Sequence, residues 1–217
     1  MFLFEPVYRP RPPALSGRGV SLRPPLMADY GAWAELRGRS RAFLEPWEPV
    51  WGEKALSRYT FRTRISRVAR EWNSDQGYSF HIFADGSGDI PRGQLLGGVN
   101  LNAVRRLSAQ ACNLGYWMGE PYAGRGLMHA ALDALLPYAF APEIGERSGP
   151  GSGLGLHRID AACIPENLPS KELLRRCGFH EVGLAPKYLK INGGWRDHIC
   201  HQLLAEDYGG IRVGTIV

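Results

Sequence analysis

Apolar side chains recur along the chain with two spacings, one typical of strands and one typical of helices. Residues 19–23 alternate apolar and polar side chains and stop at two prolines, which favours a strand. Residues 56–72 are predicted to form a helix, because their apolar side chains fall on one helical face. That face consists of Phe61, Ile65, Val68 and Trp72. Asp29 is a residue type that caps helices, so a shorter helix is predicted to follow it.

The middle of the chain predicts three strands and a second apolar helix. The strands are residues 77–84, 94–102 and 111–118, and a segment rich in turn-forming residues separates the first two. A turn with two glycines follows the third strand and leads into the helix. The apolar face of that helix comprises Leu127, Ala130, Ala131, Ala134, Leu135, Tyr138 and Ala139. Pro137 removes a backbone donor and is expected to kink or loosen the last turns.

The last third of the chain predicts a strand, a helix and an antiparallel pair. Residues 158–164 are predicted to be the strand, and Asn167 opens the helix. Residues 179–191 and 195–204 are predicted to pair around an Asn-Gly-Gly turn. Residues 142–156 are glycine-rich and are expected to form a flexible loop that contributes nothing to the core. The whole pattern predicts one mixed α/β domain with helices on both sides of a central sheet.

Composition supports a globular domain and argues against a membrane protein. The 217 residues are 44% hydrophobic and 22% charged, which suffices for a sizeable core. No apolar run approaches the roughly 18 residues of a membrane span, and the first residues lack a secretory segment. We therefore expect a cytoplasmic protein with an extended N-terminal arm at residues 1–17 and a C-terminal tail at residues 207–217.

The cysteines, histidines and charged residues exclude several kinds of site. The sequence contains no C-x-x-C motif and no histidine spacing typical of a metal site, so neither a metal nor a disulfide framework is predicted. The formal net charge of +5 would attract phosphate-bearing ligands or a partner rich in nucleic acid. No long basic run or known module indicates specific nucleic-acid readout.

The glycine turn is the most informative chemical feature of the sequence. Gly124, Arg125 and Gly126 stand before a helix, whose first backbone N–H groups lack partners and whose dipole is positive at that end. Glycine leaves those N–H groups accessible, so the turn is predicted to bind a phosphate or pyrophosphate. The alternative is a tight turn without a ligand, because neither named phosphate-loop signature is present.

A second motif accompanies the turn. It reads P-E-N-x-x-S-x-x-x-L-x-x-x-G-F and begins at Pro165. Together the two motifs resemble the GCN5-related N-acetyltransferase superfamily, and the resemblance covers roughly residues 18–206. The chain also resembles the bacterial ribosomal-protein-alanine N-acetyltransferase branch of this superfamily, at residues 43–50, 114–116, 124–128, 157–159 and 193–198. One departure is Pro121, which replaces the first polar residue of the family's phosphate loop.

The resemblance implies a single-domain fold and a co-substrate. The mostly antiparallel central sheet would be splayed at the cofactor site, with helices on both faces. Acetyl-CoA would be the co-substrate, with no metal; its pantetheine arm would pair with the end of strand 111–118 and its pyrophosphate would lie on the backbone of residues 123–128. The implied cofactor-binding residues are Tyr116, Trp117, Met118, Ala123, Gly124, Arg125, Gly126, Leu127, Met128 and Asn167.

The resemblance also implies the acceptor. A protein N-terminal α-amine, that of alanine or serine in a small-subunit ribosomal protein, would attack the thioester directly, and the protein would associate with ribosomes. Two other functions stay open at this point. The same chemistry would also serve a small-molecule amine such as a drug, polyamine or amino acid. A non-catalytic acyl-CoA-binding ribosome assembly factor would also suit the positive charge.

Two residues are candidates for catalysis. Glu48 would accept the amine proton or hold the ammonium group, or else it merely fixes its loop; Asp197 and His198 are competitors. A free α-amine has a pKa of about 7.7–8.0, so a weak base suffices. Ser170 matches the family position that protonates the departing thiolate, and its alternative is a local hydrogen bond in the helix. Trp47 is the candidate for lining the acceptor groove.

Overall fold

Eight strands form one sheet in the described part of the chain, which comprises residues 6–8, 12–142 and 153–209 of a computed structural model. The strands are β1 (Leu15–Gly17), β2 (Val20–Arg23), β3 (Gly77–Ala84), β4 (Leu95–Arg105), β5 (Ala111–Met118), β6 (Arg158–Cys163), β7 (His180–Ile191) and β8 (Gly194–Leu204). Their order across the sheet is β1-β2-β3-β4-β5-β6-β8-β7. The predicted mixed α/β domain is confirmed.

Six helices accompany the sheet within the same described residues. They are α1 (Tyr30–Arg39), α2 (Arg41–Leu44), α3 (Arg58–Asn73), α4 (Leu127–Phe140), α5 (Leu168–Arg176) and α6 (Ala205–Gly209). Single 3₁₀ turns lie at Met27–Asp29, Glu45–Trp47 and Glu120–Tyr122. Helix α3 confirms the spacing argument, because all four side chains of its predicted apolar face are buried. Its N-terminus is capped by Ser57, whose hydroxyl accepts from the backbone N–H of Thr60 at 3.2 Å.

One pair of neighbouring strands interrupts the regularity of the sheet. Strands β5 and β6 are parallel, whereas the other described neighbours are antiparallel. Their pairing runs only from Ala111 opposite Arg158 to Leu114 opposite Ala161. Beyond Leu114, strand β5 stays paired with β4 on one edge and has no described strand on the other. The sheet therefore opens into a fork along Gly115–Met118.

Different helices cover the two faces of the sheet. Every residue of β3 is buried, so both of its faces contribute to the core. On one face Phe80 belongs to the same apolar cluster as Leu132 of α4. On the opposite face Phe83 clusters with Phe61 and Ile65 of α3. Full burial of each such side chain contributes about 1.5–3 kcal/mol, so the fork is held between two substantial apolar layers.

The predicted helix follows Asp29, which occupies the N-cap position of α1, but its side chain makes no capping hydrogen bond to that helix. Its buried carboxylate accepts hydrogen bonds from Arg23 and from the backbone N–H of Leu26, and it lies 3.0 Å from Nδ1 of His81. Burial opposes ionisation of this carboxyl group, but the hydrogen bonds from His81 and Arg23 prevail and hold its pKa well below the ordinary value. The Asp29 side chain thus ties the start of α1 to β2 and β3.

The expectation that residues 142–156 add nothing to the core is wrong for the described part of that segment. Residues 143–152 lie outside the described residues, but Leu154 and Leu156 are both buried in the main apolar cluster. Their backbone N–H groups donate to carbonyl groups near the end of α4. The glycine-rich composition of this segment led to the wrong expectation, because its two leucines are as buried as the core residues of the strands. Pro137 lies inside α4, which continues to its end at Phe140.

The two ends of the described chain pack against the domain. Strand β1 occupies the last residues of the predicted N-terminal arm and pairs with β2. Upstream, the Tyr8 hydroxyl donates to the carbonyl of Pro25 at 2.7 Å. Helix α6 begins two residues before the predicted C-terminal tail, whose residues 210–217 lie outside the described part. None of the described helices is long and apolar enough to cross a membrane.

Candidate functional site

The fork between β5 and β6 presents the edge of a strand to a ligand. Because β4 is the one described strand that pairs with residues 115–118, the other edge of this segment carries backbone groups that an extended chain can pair with as an added strand. Side chains alternate along this segment. Tyr116 and Met118 pack against the cluster that contains α4, whereas Trp117 packs against the cluster that contains α1 and α3. The fork thus has two sides with different surroundings.

The glycine turn closes one side of the fork. Gly124 has a φ of 72° and Gly126 a φ of 75°, which is the left-handed region that favours glycine. Gly126 is the N-cap of α4 and supplies no side-chain cap to the N–H groups of the first turn. A Cβ atom added to either glycine would meet no protein atom within 4 Å. These free N–H groups at a helix N-terminus therefore suit the pyrophosphate of a nucleotide cofactor.

Arg125 was predicted to add positive charge to the turn, and the structure gives it a partner. Its guanidinium forms an ion pair with Asp89, in the connection between β3 and β4. Both side chains are exposed, so this pair is screened by water and contributes little to stability. A groove of about 720 Å³ runs between that connection and the first turn of α4. Arg125, His129 and Arg176 contribute cationic or titratable groups to its lining.

A pair of hydroxyl groups spans the fork. The Tyr116 hydroxyl on β5 lies 2.7 Å from the Ser170 hydroxyl on α5. The backbone of Ser170 is held in place by Asn167, because the Ser170 N–H donates to the Asn167 side chain at 3.1 Å. Asn167 is the N-cap of α5, so its predicted capping role is confirmed. The predicted cofactor residue Asn167 and catalytic residue Ser170 therefore sit together beside the open edge of β5.

Burial controls the protonation of this pair. Desolvation raises the pKa of Tyr116 well above its ordinary value, so its hydroxyl keeps its proton at neutral pH. Desolvation also raises the pKa of the neighbouring Cys163 thiol. Either hydroxyl can donate in this contact, and Ser170 also has a side-chain hydrogen bond with Cys163, so a donor to a ligand in the fork would come from this hydrogen-bonded group.

Glu48 lies on the other side of the fork, where its carboxylate already has partners. Arg37 of α1 donates to both carboxylate oxygens, and Trp51 Nε1 donates to one of them at 2.8 Å. The backbone carbonyl of Glu48 accepts from Asn192 N–H at 2.9 Å, which joins this loop to the turn between β7 and β8. These contacts leave little acceptor capacity on the carboxylate. They support the reading in which Glu48 fixes its loop.

Arg37 connects Glu48 to the fork. Its guanidinium lies 4.4 Å from the Trp51 ring centroid and 4.9 Å from that of Trp117. Cation–π contacts of this kind are worth about 0.5–2 kcal/mol. We call Tyr116, Gly124, Gly126, Asn167 and Ser170 the cofactor side. We call Arg37, Glu48, Trp51, Trp117 and Asn192 the acceptor side.

The competitors of Glu48 are engaged elsewhere. One oxygen of Asp197 accepts from the backbone N–H of Lys187 at 2.8 Å, at a residue with a φ of 48° in an irregular part of β7. His198 is buried, and its Nδ1 lies 3.0 Å from the carbonyl of Arg196. Both side chains thus make hydrogen bonds within the β7–β8 hairpin. Trp47 is about one-third exposed and lies in the 3₁₀ turn that precedes Glu48, so a groove-lining role stays a prediction.

Sequence reasoning missed two groups in the site. The hydroxyl of Tyr116 was overlooked because only the backbone of that strand was assigned a role. Arg37 was overlooked because it is buried on α1 and Glu48 lies 11 residues later in a different element, so no helical spacing links the two. The available signal was an arginine one helical turn after Trp33, on the face that points inward. Among the described residues, no three acidic, histidine or cysteine side chains form a group that could hold a metal ion.

Comparison with known proteins identifies the relatives of this arrangement. Residues 20–180 match the family described as the acetyltransferase (GNAT) domain. The ribosomal protein uS5-alanine N-acetyltransferase of Escherichia coli is 33% identical over 185 residues, which cover 84% of this chain and 87% of that protein.

Two solved structures share the fold. The Mycobacterium smegmatis RimJ complex with CoA-disulfide has a TM-score of 0.77 and 30% identity, covering 91% of this chain and 88% of that one. The ribosomal-protein-S5-alanine acetyltransferase of Vibrio fischeri has a TM-score of 0.76 and 25% identity, covering 91% of this chain and 99% of that one.

Proposed function

The chain belongs to the acetyltransferase (GNAT) domain family and is an acetyl-CoA-dependent N-acetyltransferase, and we propose that its acceptor is the N-terminal α-amine of a ribosomal protein. The acceptor protein is proposed to begin with alanine or serine and to belong to the small ribosomal subunit. The Tyr116–Ser170 contact beside the open edge of β5 is the observation that carries the chemistry. The acceptors named for the Escherichia coli and Vibrio fischeri relatives support the choice of partner.

The proposed reaction needs one bond to form and one to break. The acceptor nitrogen attacks the thioester carbonyl, so a carbon–nitrogen bond replaces the carbon–sulfur bond and the amine loses one proton. Ser170 would donate a hydrogen bond to the departing sulfur, pass it a proton and take a proton back from water, so that the proton lost by the amine balances the proton gained by the sulfur. Tyr116 would support this donation, because it remains protonated and can donate to the Ser170 oxygen in turn. A hydroxyl placed in this way stabilises the negative charge that develops on sulfur.

An α-amine fits the acceptor side better than a lysine side chain does. The α-amino pKa of about 7.7–8.0 leaves on the order of a tenth of the amine neutral near pH 7, whereas lysine, at about 10.4, leaves far less. A lysine acceptor therefore demands a strong, available base. The Glu48 carboxylate is occupied by three protein donors, and one oxygen of the exposed Asp197 carboxylate accepts from the Lys187 backbone. A site in which water removes the proton, aided by Glu48, supports an acceptor that is already partly neutral.

The cofactor side suits acetyl-CoA on physical grounds. Residues 123–128 contain the two glycines whose open surroundings leave the first N–H groups of α4 accessible. Tyr116, Trp117 and Met118 carry the edge to which the pantetheine arm would pair. We propose that these residues, together with Ala123, Arg125, Leu127, Met128 and Asn167, hold the co-substrate. Trp47 is proposed to line the groove on the acceptor side.

Peptide acetylation tests this proposal. The full chain would be incubated with acetyl-CoA and otherwise identical peptides beginning with alanine, serine or proline, each containing one internal lysine. Spermidine and an aminoglycoside would be tested in parallel. We expect mass spectrometry to place one acetyl group on the α-amine of the alanine or serine peptide and none on lysine. Transfer to the small amines alone would reject the protein N-terminus as acceptor in favour of a small-molecule amine. Acetyl-CoA binding without any transfer would indicate a non-catalytic module.

A further inference from the structure

Helix α3 carries a partly buried guanidinium, that of Arg64, which forms no ion pair among the described residues. Nε of Arg64 is buried and has no hydrogen-bond partner among the described residues. Burial and, to a smaller extent, the neighbouring charges of Arg37 and Arg67 lower the pKa of Arg64 to about 10, although Glu48 and Glu71 act in the opposite direction. The side chain still carries its charge at neutral pH. A buried charge that lacks a partner is costly, so its retention points to a ligand that supplies one.

The carboxylates near Arg64 are committed to other arginines. Glu48 forms its ion pair with Arg37 and also accepts from Trp51. Glu71 lies 3.6 Å from Arg67, one helical turn further along α3. Three guanidinium groups therefore share two carboxylates, and one positive charge is left over. An incoming carboxylate would complete the set.

Arg64 lines a groove that borders the acceptor side. The groove has a volume of about 620 Å³ and lies between α3 and the segment that follows Glu48. Its walls are largely apolar or aromatic, and the charged lining residues are four cations, Arg37, Lys54, Arg64 and Arg67, against the single carboxylate of Glu48. The residues used in this argument are Trp33, Trp51, Lys54, Leu56, Arg64 and Arg67. Arg37, which also lines it, touches the Trp117 ring on β5, so the groove leads away from the fork.

We propose that this groove binds an acidic side chain of the acceptor protein, located a few residues after the N-terminal residue that is acetylated, with Arg64 as its partner. The proposal rests on the proposed function, because it assumes a polypeptide acceptor. Arginine and carboxylate pair through charge-assisted, often bidentate hydrogen bonds. Apolar walls suit the aliphatic stem of an aspartate or glutamate. A nucleic-acid backbone would instead favour exposed cations along an open surface, so we favour the peptide.

Binding of peptides with one movable charge tests the proposal. A neutral peptide that begins with alanine would carry a single glutamate at each of positions 2 to 8 in turn, with glutamine at the same position as its matched control. Each peptide would carry a rhodamine at its C-terminus, and its dissociation constant would be measured by fluorescence anisotropy with CoA present. We expect one glutamate position, or two adjacent ones, to bind about ten-fold more tightly than glutamine. Equal affinities at every position would overturn the proposal.

Two variants assign the preference to Arg64. Arg64→Met removes the charge and keeps the side-chain length, and we expect it to abolish the glutamate preference. Arg70→Met makes the same charge change on the exposed face of α3, outside the groove, and should keep the preference. The melting temperature of Arg64→Met should not fall, because the change removes an unpaired buried charge. A preference that survives in Arg64→Met contradicts the proposal, and so does a lower melting temperature with unchanged peptide binding.

The outcomes separate this inference from the proposed function. Acetylation of every alanine peptide without a glutamate preference would keep the function and reject the groove. Tight binding of a glutamate peptide that is never acetylated would keep the groove and reject the function. A ten-residue single-stranded RNA serves as the remaining probe. If Arg64→Met weakens RNA binding and leaves peptide binding unchanged, the groove is not a peptide site.

Discussion

The cofactor side and the acceptor side of the fork are built from different parts of the chain. The cofactor side consists mainly of backbone groups and two hydroxyls, from residues 116–126 and 167–170. The acceptor side is made of arginine, glutamate and tryptophan side chains from α1, the segment after it and β5, together with a backbone N–H group of the β7–β8 turn. The cofactor side joins two stretches of the chain, whereas the acceptor side joins four.

The two sides therefore differ in how strongly a substitution can change what they bind. Backbone N–H groups at a glycine turn bind the same phosphate whatever side chains surround them. A cluster of side chains changes its shape and charge with every substitution. We therefore expect changes on the cofactor side to affect all acceptors alike, and changes on the acceptor side to affect acceptors selectively. Three substitutions test this contrast between the cofactor side and the acceptor side.

The largest effect should come from Ser170→Ala. This change removes the hydroxyl that would donate to the departing sulfur, and it keeps the backbone N–H that Asn167 accepts. We expect kcat to fall by about a hundred-fold, because proton transfer by a positioned side chain contributes roughly that much. The KM for acetyl-CoA should stay nearly constant in steady-state assays. An unchanged kcat would remove Ser170 from the mechanism and leave it a structural residue of α5.

A smaller effect is expected from Gly126→Val. The φ of 75° strains a β-branched residue by about 1–3 kcal/mol, and the new side chain would stand in front of the N–H groups of α4. Acetyl-CoA affinity should fall about ten-fold or more in calorimetric titration. Gly93→Val is the matched control, since Gly93 has a φ of 82° and equally open surroundings in the β3–β4 connection. Equal losses of affinity in both variants would show that strain, and not blocking of the turn, is responsible.

The smallest effect should come from Glu48→Gln. The change keeps the shape of the side chain but breaks the ion pair with Arg37. We expect the peptide KM to rise several-fold while kcat stays within about three-fold, because the carboxylate shapes the acceptor side. A large fall in kcat at constant KM would instead make Glu48 the group that takes the amine proton. Acetyl-CoA affinity serves as the control, and it should not change.

Much of the fold could be predicted because its signals are local. The period of apolar residues located α3, and the glycine turn located the start of α4, since a handful of neighbouring residues determines each. The Asn167–Ser170 motif was equally legible, because both residues lie in the first turn of one helix. The resemblance to a known family then gave these local features a common ligand.

The parts that could not be predicted depend on long-range contacts. Asp29 looks like a helix cap in sequence, yet it binds a histidine that lies 52 residues later. Arg37 and Glu48 form an ion pair that no spacing rule indicates. Leu154 and Leu156 sit in a glycine-rich segment whose composition suggests a loop, and only their packing reveals that they belong to the core. In each case a tertiary partner outweighed the local pattern.

The unpaired edge of Gly115–Met118 also links the lifetime of the protein to its supply of ligand. A chain that pairs with this edge would supply the missing neighbour of β5, so the folded state gains free energy whenever the ligand is abundant. At a ligand concentration about 100 times the dissociation constant, that gain is about 2.7 kcal/mol. Since proteases attack opened chains, resistance to degradation rises with the concentration of acetyl-CoA. We therefore expect the break in the sheet to make the persistence of this polypeptide depend on the supply of its co-substrate.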